Sequence, residues 1–240
     1  MERKIRILNI ISSLDPKYGG LTSCLIHWAI QLRKDNFEVA IVTSDNKSTN
    51  YIKIKGVKII NLGSKIGLSI LDWIGRYSLN LRLLNFLFKN RDKFDVFIVH
   101  GIWQFNTLVA RLMLKKNYYV FTQGMLDKYF LKENFLKVLK KKIYWFCVEK
   151  KNLLNAKAIL LSSKKQGNMN ELGFANTHGI KKKVVRFGMV NSKYNKKKCL
   201  NLFYKKYPSL KNKVFYLFLG RYHQKKGIEI LIKAAHLLKK

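Results

Sequence analysis

Two cations near the end of the chain have the spacing of a phosphate-binding site. The apolar segment 214–219 is followed by Gly220 and Arg221, and Lys226 and Gly227 stand where a helix would begin. A strand that turns into a helix in this way exposes backbone N–H groups, and two cations beside them would attract a diphosphate. The sequence therefore predicts that Arg221 and Lys226 bind the diphosphate of a ligand.

A pair of glycines near the start of the chain is a second candidate for anion binding. Gly19 and Gly20 follow the first apolar run and precede a predicted helix, for which Thr22 or Ser23 would be the N-cap. Glycine lets the backbone approach a ligand closely, and a helix start offers N–H donors. A tight turn also needs glycine, so a structural role is the competing interpretation. The spacing fits neither a dinucleotide fingerprint nor a P-loop.

Polar residues follow two further predicted strands. His100 ends one of them, with Trp103 close behind, and Gln123 and Asp127 follow the next. Ligands of open parallel sheets bind beyond the carboxyl ends of the strands, so these residues are expected on one ligand-binding rim. The competing interpretations are a hydrogen-bonded structural histidine and an ordinary loop with a helix-capping aspartate.

The elements that position these residues alternate between strand and helix. Residues 5–11 form a nearly continuous apolar run, which is typical of a strand buried on both faces of a parallel sheet, and helical periodicity follows from residue 21 to about 34. The alternation continues with strands 38–43, 57–61, 95–100, 118–122 and 158–162 and helical stretches 68–88, 106–115 and 135–154. It predicts an α/β fold with a doubly wound, Rossmann-like parallel sheet.

A second domain is predicted to begin near residue 213. After a probable strand at 183–187, a stretch rich in Lys, Asn and Tyr marks an interdomain connection, and residue 214 restarts the strand-turn-helix theme of the first residues. We therefore divide the chain into a Rossmann-like domain at 1–187, a connection at 188–212, and the first strand-helix unit of an incomplete second Rossmann-like domain at 213–240.

Composition narrows the class of protein. A formal charge of +35 favours phosphate, nucleic acid or an anionic membrane as a partner, but the charge is spread along the whole chain and fits an AT-rich genome equally well. Nucleic-acid binding is the least favoured interpretation, and we expect no nucleic-acid partner, because no recognition motif accompanies the charge. Three widely spaced cysteines and the lack of a signal peptide favour a cytoplasmic protein, and no apolar run approaches the roughly 18 residues of a membrane span.

The helical stretch 135–154 allows two interpretations. Leu136, Leu139, Ile143 and Phe146 recur at helical spacing beside several lysines. We favour a stripe that faces the core, with a solvated lysine flank. The alternative is a basic amphipathic helix that lies on anionic lipid.

In this order, the motifs resemble those of the family 4 (group 1) retaining glycosyltransferases, which have two facing Rossmann-like domains of GT-B type. The resemblance covers nearly the whole sequence. It is carried by Asp15-Pro16-Lys17-Tyr18-Gly19-Gly20, His100-Gly101, Gln123-Gly124-Met125-Leu126-Asp127, Ala156-Lys157-Ala158, Phe187-Gly188-Met189, Gly220-Arg221 and Lys226-Gly227.

The resemblance implies that a nucleoside-diphosphate sugar binds between the domains. Its sugar would pass, with retention of configuration, to a glycan or lipid-linked acceptor in surface polysaccharide or lipopolysaccharide synthesis, without a cofactor or a metal ion. The resemblance also implies roles for the matching residues: catalysis for His100 and Gln123, donor diphosphate binding for Gly19, Gly20, Arg221 and Lys226, and the acceptor side for Trp103 and Asp127.

The sequence departs from the family pattern in three places. Gln123 replaces a His or Arg that many relatives carry, and the hinge reads Arg186-Phe187-Gly188 instead of Pro-Asn-Gly. The Glu-rich motif of the second domain does not occur before residue 240. We therefore expect little transfer activity from these 240 residues alone, and the alternative function is a non-catalytic remnant or subunit that binds an anionic membrane or a partner glycosyltransferase.

Overall fold

The computed structural model describes residues 3–49, 51–63, 77–127, 135–164, 177–185, 194–220, 222 and 226–238. Two compact units divide the chain, residues 1–189 and residues 190–240. Arg221 and the hinge residues 186–188 lie outside the described residues, as do residues 68–76 of the predicted helical stretch 68–88.

A seven-stranded parallel sheet forms the centre of the first unit. Its spatial order is β3-β2-β1-β4-β5-β6-β7, so that β1 pairs with β2 on one side and with β4 on the other. This arrangement confirms the predicted doubly wound, Rossmann-like α/β fold. The strands are β1 (Arg6–Ile10), β2 (Glu38–Thr43), β3 (Val57–Asn61), β4 (Val96–His100), β5 (Tyr119–Phe121), β6 (Ala158–Leu161) and β7 (Lys182–Val184).

Helices connect these strands. They are α1 (Gly20–Lys34), α2 (Leu81–Asn90), α3 (Phe105–Leu114), α4 (Phe135–Tyr144) and α5 (Lys150–Leu154). A π-helical turn, Trp145–Glu149, joins α4 to α5, so the predicted helix 135–154 is continuous and carries one inserted wide turn. Such a turn places an extra residue in the helix and shifts the side chains that follow it. We call residues 135–154 the long helix.

Both faces of the sheet are buried, which explains the continuous apolar runs in the sequence. Leu8 and Phe97 lie in one core cluster, whereas Ile7 and Ile98 lie in another, because neighbouring residues of a strand point to opposite faces. Asn9 is a polar exception, fully buried in the middle of β1. Its partner is the ring of His100 in the neighbouring strand β4.

The predicted core-facing stripe of the long helix is wrong. Its four side chains are exposed, between 41% for Leu139 and 63% for Leu136. The face of the helix that is buried instead carries Trp145 and Glu149, both 0% exposed. The sequence pattern predicted the wrong face because the buried face is short and contains a carboxyl group, so that it is less apolar than the exposed face.

The second unit contains α6 (Lys196–Lys206), a short 3₁₀ turn at Pro208–Leu210 and α7 (Ile228–Leu237). The predicted strand at 214–219 is wrong, since these residues form no strand and Val214 is 96% exposed. A strand needs the backbone of a neighbour, and the described residues of this unit supply none. The predicted helix start at Lys226 and Gly227 is confirmed, because Gly227 caps α7 with a φ of 66°.

Among the residues that the structure describes, no helix is both long enough and apolar enough to cross a membrane.

Candidate functional site

The strand order reverses direction at β1, because the chain builds β2 and β3 on one side and then returns to build β4 on the other. Ligands of doubly wound sheets bind at such a switch point, outside the carboxyl ends of the strands. Three loops leave the sheet there, at residues 11–19, 101–104 and 122–127. With the first residue of α1 they make up what we call the switch-point site.

Hydrogen bonds tie the three loops together. Ser12 Oγ donates to Gln104 Oε1 at 2.6 Å, which joins the loop after β1 to the loop after β4. The indole N–H of Trp103 donates to the carbonyl oxygen of Met125 at 3.2 Å, which joins the loop after β4 to the loop after β5. The predicted rim residues therefore lie on connected backbone, and the site forms one surface of the first unit.

His100 lies beneath this surface. Its side chain is 1% exposed, and its ring stacks on that of Phe121 with the centroids 6.1 Å apart. His100 Nε2 lies 2.9 Å from Asn9 Oδ1, while the amide nitrogen of Asn9 points to the carbonyl oxygen of Ala40. Since Asn9 Oδ1 can only accept, His100 carries its proton on Nε2. Burial lowers the pKa of His100 to about 3, so the ring is neutral at physiological pH.

Gln123 is the more accessible residue of the pair that it forms with His100. Its amide Nε2 lies 3.5 Å from His100 Nδ1, the ring nitrogen that is left to accept. The side chain is half-buried, and its backbone has a φ of 54°. The structure therefore places Gln123 at the rim and His100 below it as the group that orients the amide. A catalytic role for either residue stays a prediction.

Gly19 and Gly20 lie at the start of α1. Gly19 has a φ of 66° and is the N-cap, so the predicted capping by Thr22 or Ser23 is wrong. Thr22 is buried in the first turn instead, where its hydroxyl donates to the carbonyl oxygen of Asp15 at 3.4 Å. A Cβ atom built on either glycine would meet nothing within 4 Å. The start of α1 therefore has open space in front of it and carries no side-chain cap.

A charged pair stands beside these glycines. Lys17 Nζ lies 3.2 Å from Asp15 Oδ2, and the lysine side chain is 84% exposed. The backbone N–H of Lys17 also donates to Asp15, and this hydrogen bond is the main reason that the pKa of Asp15 lies below its usual value. Asp15 is therefore ionised at neutral pH and holds the turn that presents Gly19.

Trp103 and Asp127, the predicted acceptor-side residues, lie on different loops of the site. Trp103 belongs to the loop after β4, and Asp127 belongs to the loop after β5. Trp103 has a φ of 66°, and its ring packs 5.9 Å from that of Trp145 in the long helix. Asp127 is exposed at the end of the loop after β5. The indole therefore braces the loop after β4 against the long helix, and Asp127 is the more accessible of the two.

Lys226 and Arg221 belong to the second unit. Lys226 is exposed directly before the N-cap of α7, and Arg221 lies outside the described residues. The predicted diphosphate role of the two cations stays a prediction.

A cavity of about 290 Å³ lies next to the switch-point site, where no sequence motif predicts one. Leu14 of the loop after β1 lines one side, and Asp45, Tyr51 and Asn61 supply polar groups. The carboxylate of Asp45 accepts hydrogen bonds from Ser13 Oγ at 2.5 Å and from the backbone N–H of Leu14 at 2.8 Å. This carboxylate therefore fixes the loop after β1 and borders the cavity.

Glu149 is a second residue that sequence reasoning missed. It is fully buried in the π-helical turn, and its Oε2 lies 3.1 Å from the hydroxyl of Thr107. The same hydroxyl lies 3.0 Å from the carbonyl oxygen of Gln104, and Asn152 Nδ2 donates to it at 3.2 Å. A threonine has one proton to give. Both short contacts are satisfied when Thr107 donates to Gln104 and a protonated Glu149 donates to Thr107.

Desolvation supports this protonation state. Burial raises the pKa of Glu149 to about 8, although the polar neighbours, Thr107 first among them, would stabilise the ionised form and oppose the shift. A neutral carboxyl group thus connects the long helix to the loop that carries Trp103 and Gln104. The available signal in the sequence was a single acidic residue in a lysine-rich helix, four positions after Trp145 and three before Asn152.

No cluster of three or more His, Cys, Asp or Glu side chains that could hold a metal ion occurs in the described parts of the chain.

Comparisons with known proteins place this fold among solved structures. No family model and no curated protein matches the chain. A glycosyltransferase from Rickettsia africae is similar in structure, with a TM-score of 0.52 and 14% sequence identity, over 86% of this chain and 50% of that one. The chain thus spans about half the length of this neighbour, and the likeness shows a shared fold.

Two further structures are more distant. A putative UDP-N-acetylglucosamine 2-epimerase from Listeria monocytogenes has a TM-score of 0.46 and 14% identity, over 84% of this chain and 52% of that one. TcCGT1 in complex with UDP has a TM-score of 0.40 and 13% identity, over 85% and 55%. These scores indicate a looser overall likeness.

Glu149→Gln should change how stability depends on pH. In the wild type, the raised pKa means that the unfolded state loses its proton near pH 4.5 and the folded state only near pH 8, so folding becomes less favourable across that interval. The variant has no such proton, and its stability relative to wild type should rise between pH 5 and pH 8 by more than about 1 kcal/mol, since one pKa unit corresponds to about 1.4 kcal/mol. Urea unfolding at both pH values measures the difference.

The matched control is Asp92→Asn, which removes one carboxylate from a side chain that is 93% exposed. It should not reproduce the effect. An unchanged stability difference between Glu149→Gln and wild type at the two pH values would show that Glu149 is ionised in the folded protein.

Proposed function

We propose that this chain is part of a glycosyltransferase that moves a sugar from a nucleoside-diphosphate sugar to a glycan or lipid-linked acceptor with retention of configuration. The observation that carries the proposal is the connected switch-point site on a sheet that shares its fold with the Rickettsia africae glycosyltransferase. The name of that neighbour supplies the class of reaction, and the site supplies the residues.

The start of α1 suits the phosphates of the donor or the acceptor. Backbone N–H groups of a first helical turn attract anions, and the open space in front of Gly19 and Gly20 admits a ligand close to the backbone. Arg221 and Lys226 are proposed to bind the donor diphosphate through their positive charge. Charge builds up on the departing diphosphate during transfer, so cations and N–H donors held in place lower the barrier.

Gln123 would act on the sugar through hydrogen bonds and not through charge. With one amide N–H directed to the neutral ring of His100, the side chain keeps its carbonyl oxygen and its second N–H for sugar hydroxyl groups. His100 is then a positioning residue, and Gln123 touches the substrate. The cavity beside Leu14, with the carboxylate of Asp45 and the ring of Tyr51, offers room for acceptor hydroxyl groups. Trp103 and Asp127, on the loops after β4 and β5, would contact the acceptor outside this cavity.

The proposal includes no cofactor and no metal ion, because the nucleotide sugar carries its own leaving group. The reaction would belong to the synthesis of surface polysaccharide or lipopolysaccharide. It would take place in the cytoplasm, at the inner face of the plasma membrane where lipid-linked acceptors are held.

Gly20→Ala tests ligand binding without damage to the fold. The backbone of Gly20 has no positive φ and space surrounds its Cβ position, so alanine at the first turn of α1 should leave stability unchanged or raise it by up to about 1 kcal/mol. The new methyl group would stand where phosphates approach. We expect at least about tenfold weaker binding of UDP, GDP or ADP, measured by calorimetry, because displaced charge-assisted hydrogen bonds are worth about 1.5 to 3 kcal/mol.

The comparison variant is Ser23→Ala, which removes an exposed hydroxyl group from the first turn of α1 and should bind these nucleotides like wild type. Equal affinity of Gly20→Ala and wild type would remove the start of α1 from the binding site. Failure of the wild type to bind any nucleoside diphosphate would contradict the proposed function.

Arg221→Ala and Lys226→Ala test the second unit. Each should weaken nucleoside-diphosphate binding by about 1.5 to 3 kcal/mol if it removes a charged hydrogen bond. Lys233→Ala, which removes an exposed lysine from α7, controls for the change in net charge. If all three variants bind alike, neither Arg221 nor Lys226 contacts the diphosphate.

A further inference from the structure

The long helix has an exposed apolar face that the proposed reaction does not use. Its members are spaced so that they share one side of the helix over three turns. We call this set the apolar face, and its exposed fractions are 76%, 63%, 41%, 56% and 55% for Phe135, Leu136, Leu139, Ile143 and Phe146. Five large apolar side chains in one row are more than the scattered single residues that an ordinary surface exposes.

Lysines accompany this face. Lys137, Lys140 and Lys142 are exposed on the same three turns, and the sequence contains no acidic residue from 135 to 148. At helical spacing, Lys140 borders the apolar face on one side and Lys142 borders it on the other. The helix therefore presents an apolar strip between positive charges, without a carboxylate to repel an anionic partner.

An anionic lipid bilayer offers both an apolar layer for the apolar face and negative charge for the lysines. Below a layer of anionic headgroups lies a layer of acyl chains, and an interfacial helix inserts its apolar side chains about 5 to 10 Å into that boundary. Lysine side chains can extend along the apolar layer and keep their ammonium groups among the phosphates. An acidic protein would instead need an apolar groove shaped to five projecting side chains.

We propose that the apolar face of the long helix docks on an anionic lipid bilayer, with its lysines at the headgroup phosphates. The inference rests on the proposed function for its purpose, which is to bring the switch-point site to an acceptor held in the membrane. The buried side of the same helix already contacts that site, because Trp145 packs against Trp103. Docking through the opposite side would leave this contact intact.

Vesicle co-sedimentation tests the proposal on the full 240-residue chain. The wild type should bind vesicles of equal parts phosphatidylcholine and phosphatidylglycerol at least about tenfold more tightly than vesicles of phosphatidylcholine alone. Leu139→Glu and Ile143→Glu should each weaken binding to the anionic vesicles by about tenfold or more. Each variant puts a negative charge in place of an apolar side chain that the bilayer would bury. Lys140→Glu combined with Lys142→Glu, which reverses the two charges beside the apolar face, should do the same.

Matched controls separate docking from attraction by the net charge of +35. Leu112→Glu replaces an exposed leucine of α3, and Lys89→Glu combined with Lys93→Glu makes the same charge change on another part of the first unit. Both should bind the anionic vesicles within about threefold of the wild type, since neither lies on the apolar face.

Three results would overturn the proposal. The first is that the control variants lose as much binding as the apolar-face variants, which would mean attraction by net charge. In the second, the apolar-face variants bind like wild type. The third is a wild type that binds neither kind of vesicle, which would turn attention to an acidic protein partner. The vesicles contain no nucleotide, so each result leaves the test of nucleoside-diphosphate binding unaffected.

Discussion

The position of the loop after β4, one of the three loops of the switch-point site, depends on a carboxyl group buried in the long helix. Glu149 reaches Thr107, and Thr107 reaches the backbone of Gln104, whose side chain accepts from Ser12 in the loop after β1. The chain of contacts runs from a helix on the outside of the sheet to two of the three loops at the switch point. A protonated Glu149 satisfies both contacts of Thr107, because the hydroxyl then accepts from Glu149 and gives its single proton to Gln104.

The buried and the exposed sides of the long helix carry different groups of residues. Its buried side holds Glu149 and Trp145, which brace the loop after β4, and the π-helical turn sets the two residues into that position. The exposed side carries apolar residues between lysines. If that side rests on lipid, the element that shapes the site also sets its distance from the membrane.

The strands and the switch point were predictable because burial on both faces leaves an unbroken apolar run in the sequence. β2 and β3 have the bounds that the pattern predicts, and β1, β4 and β6 differ by a residue at one or both ends. The same apolar pattern wrongly predicted a strand at 214–219, because an apolar segment forms a strand only where a neighbouring strand can pair with it. The positions of His100 and Glu149 in the buried network depend on contacts far apart in sequence, with Asn9 and with Thr107, which no local pattern reveals.

The central claim is that the switch-point site binds the donor or the acceptor. Hydrogen exchange with and without nucleoside diphosphates tests this claim most directly. Mass spectrometry of the 240-residue chain with UDP, GDP and ADP would show where amide exchange slows. The account predicts slower exchange in peptides that cover residues 11–20, 101–104 and 122–127 with at least one of these nucleotides, and unchanged exchange in α2. Protection confined to other parts of the first unit, or none with any nucleotide, would contradict it.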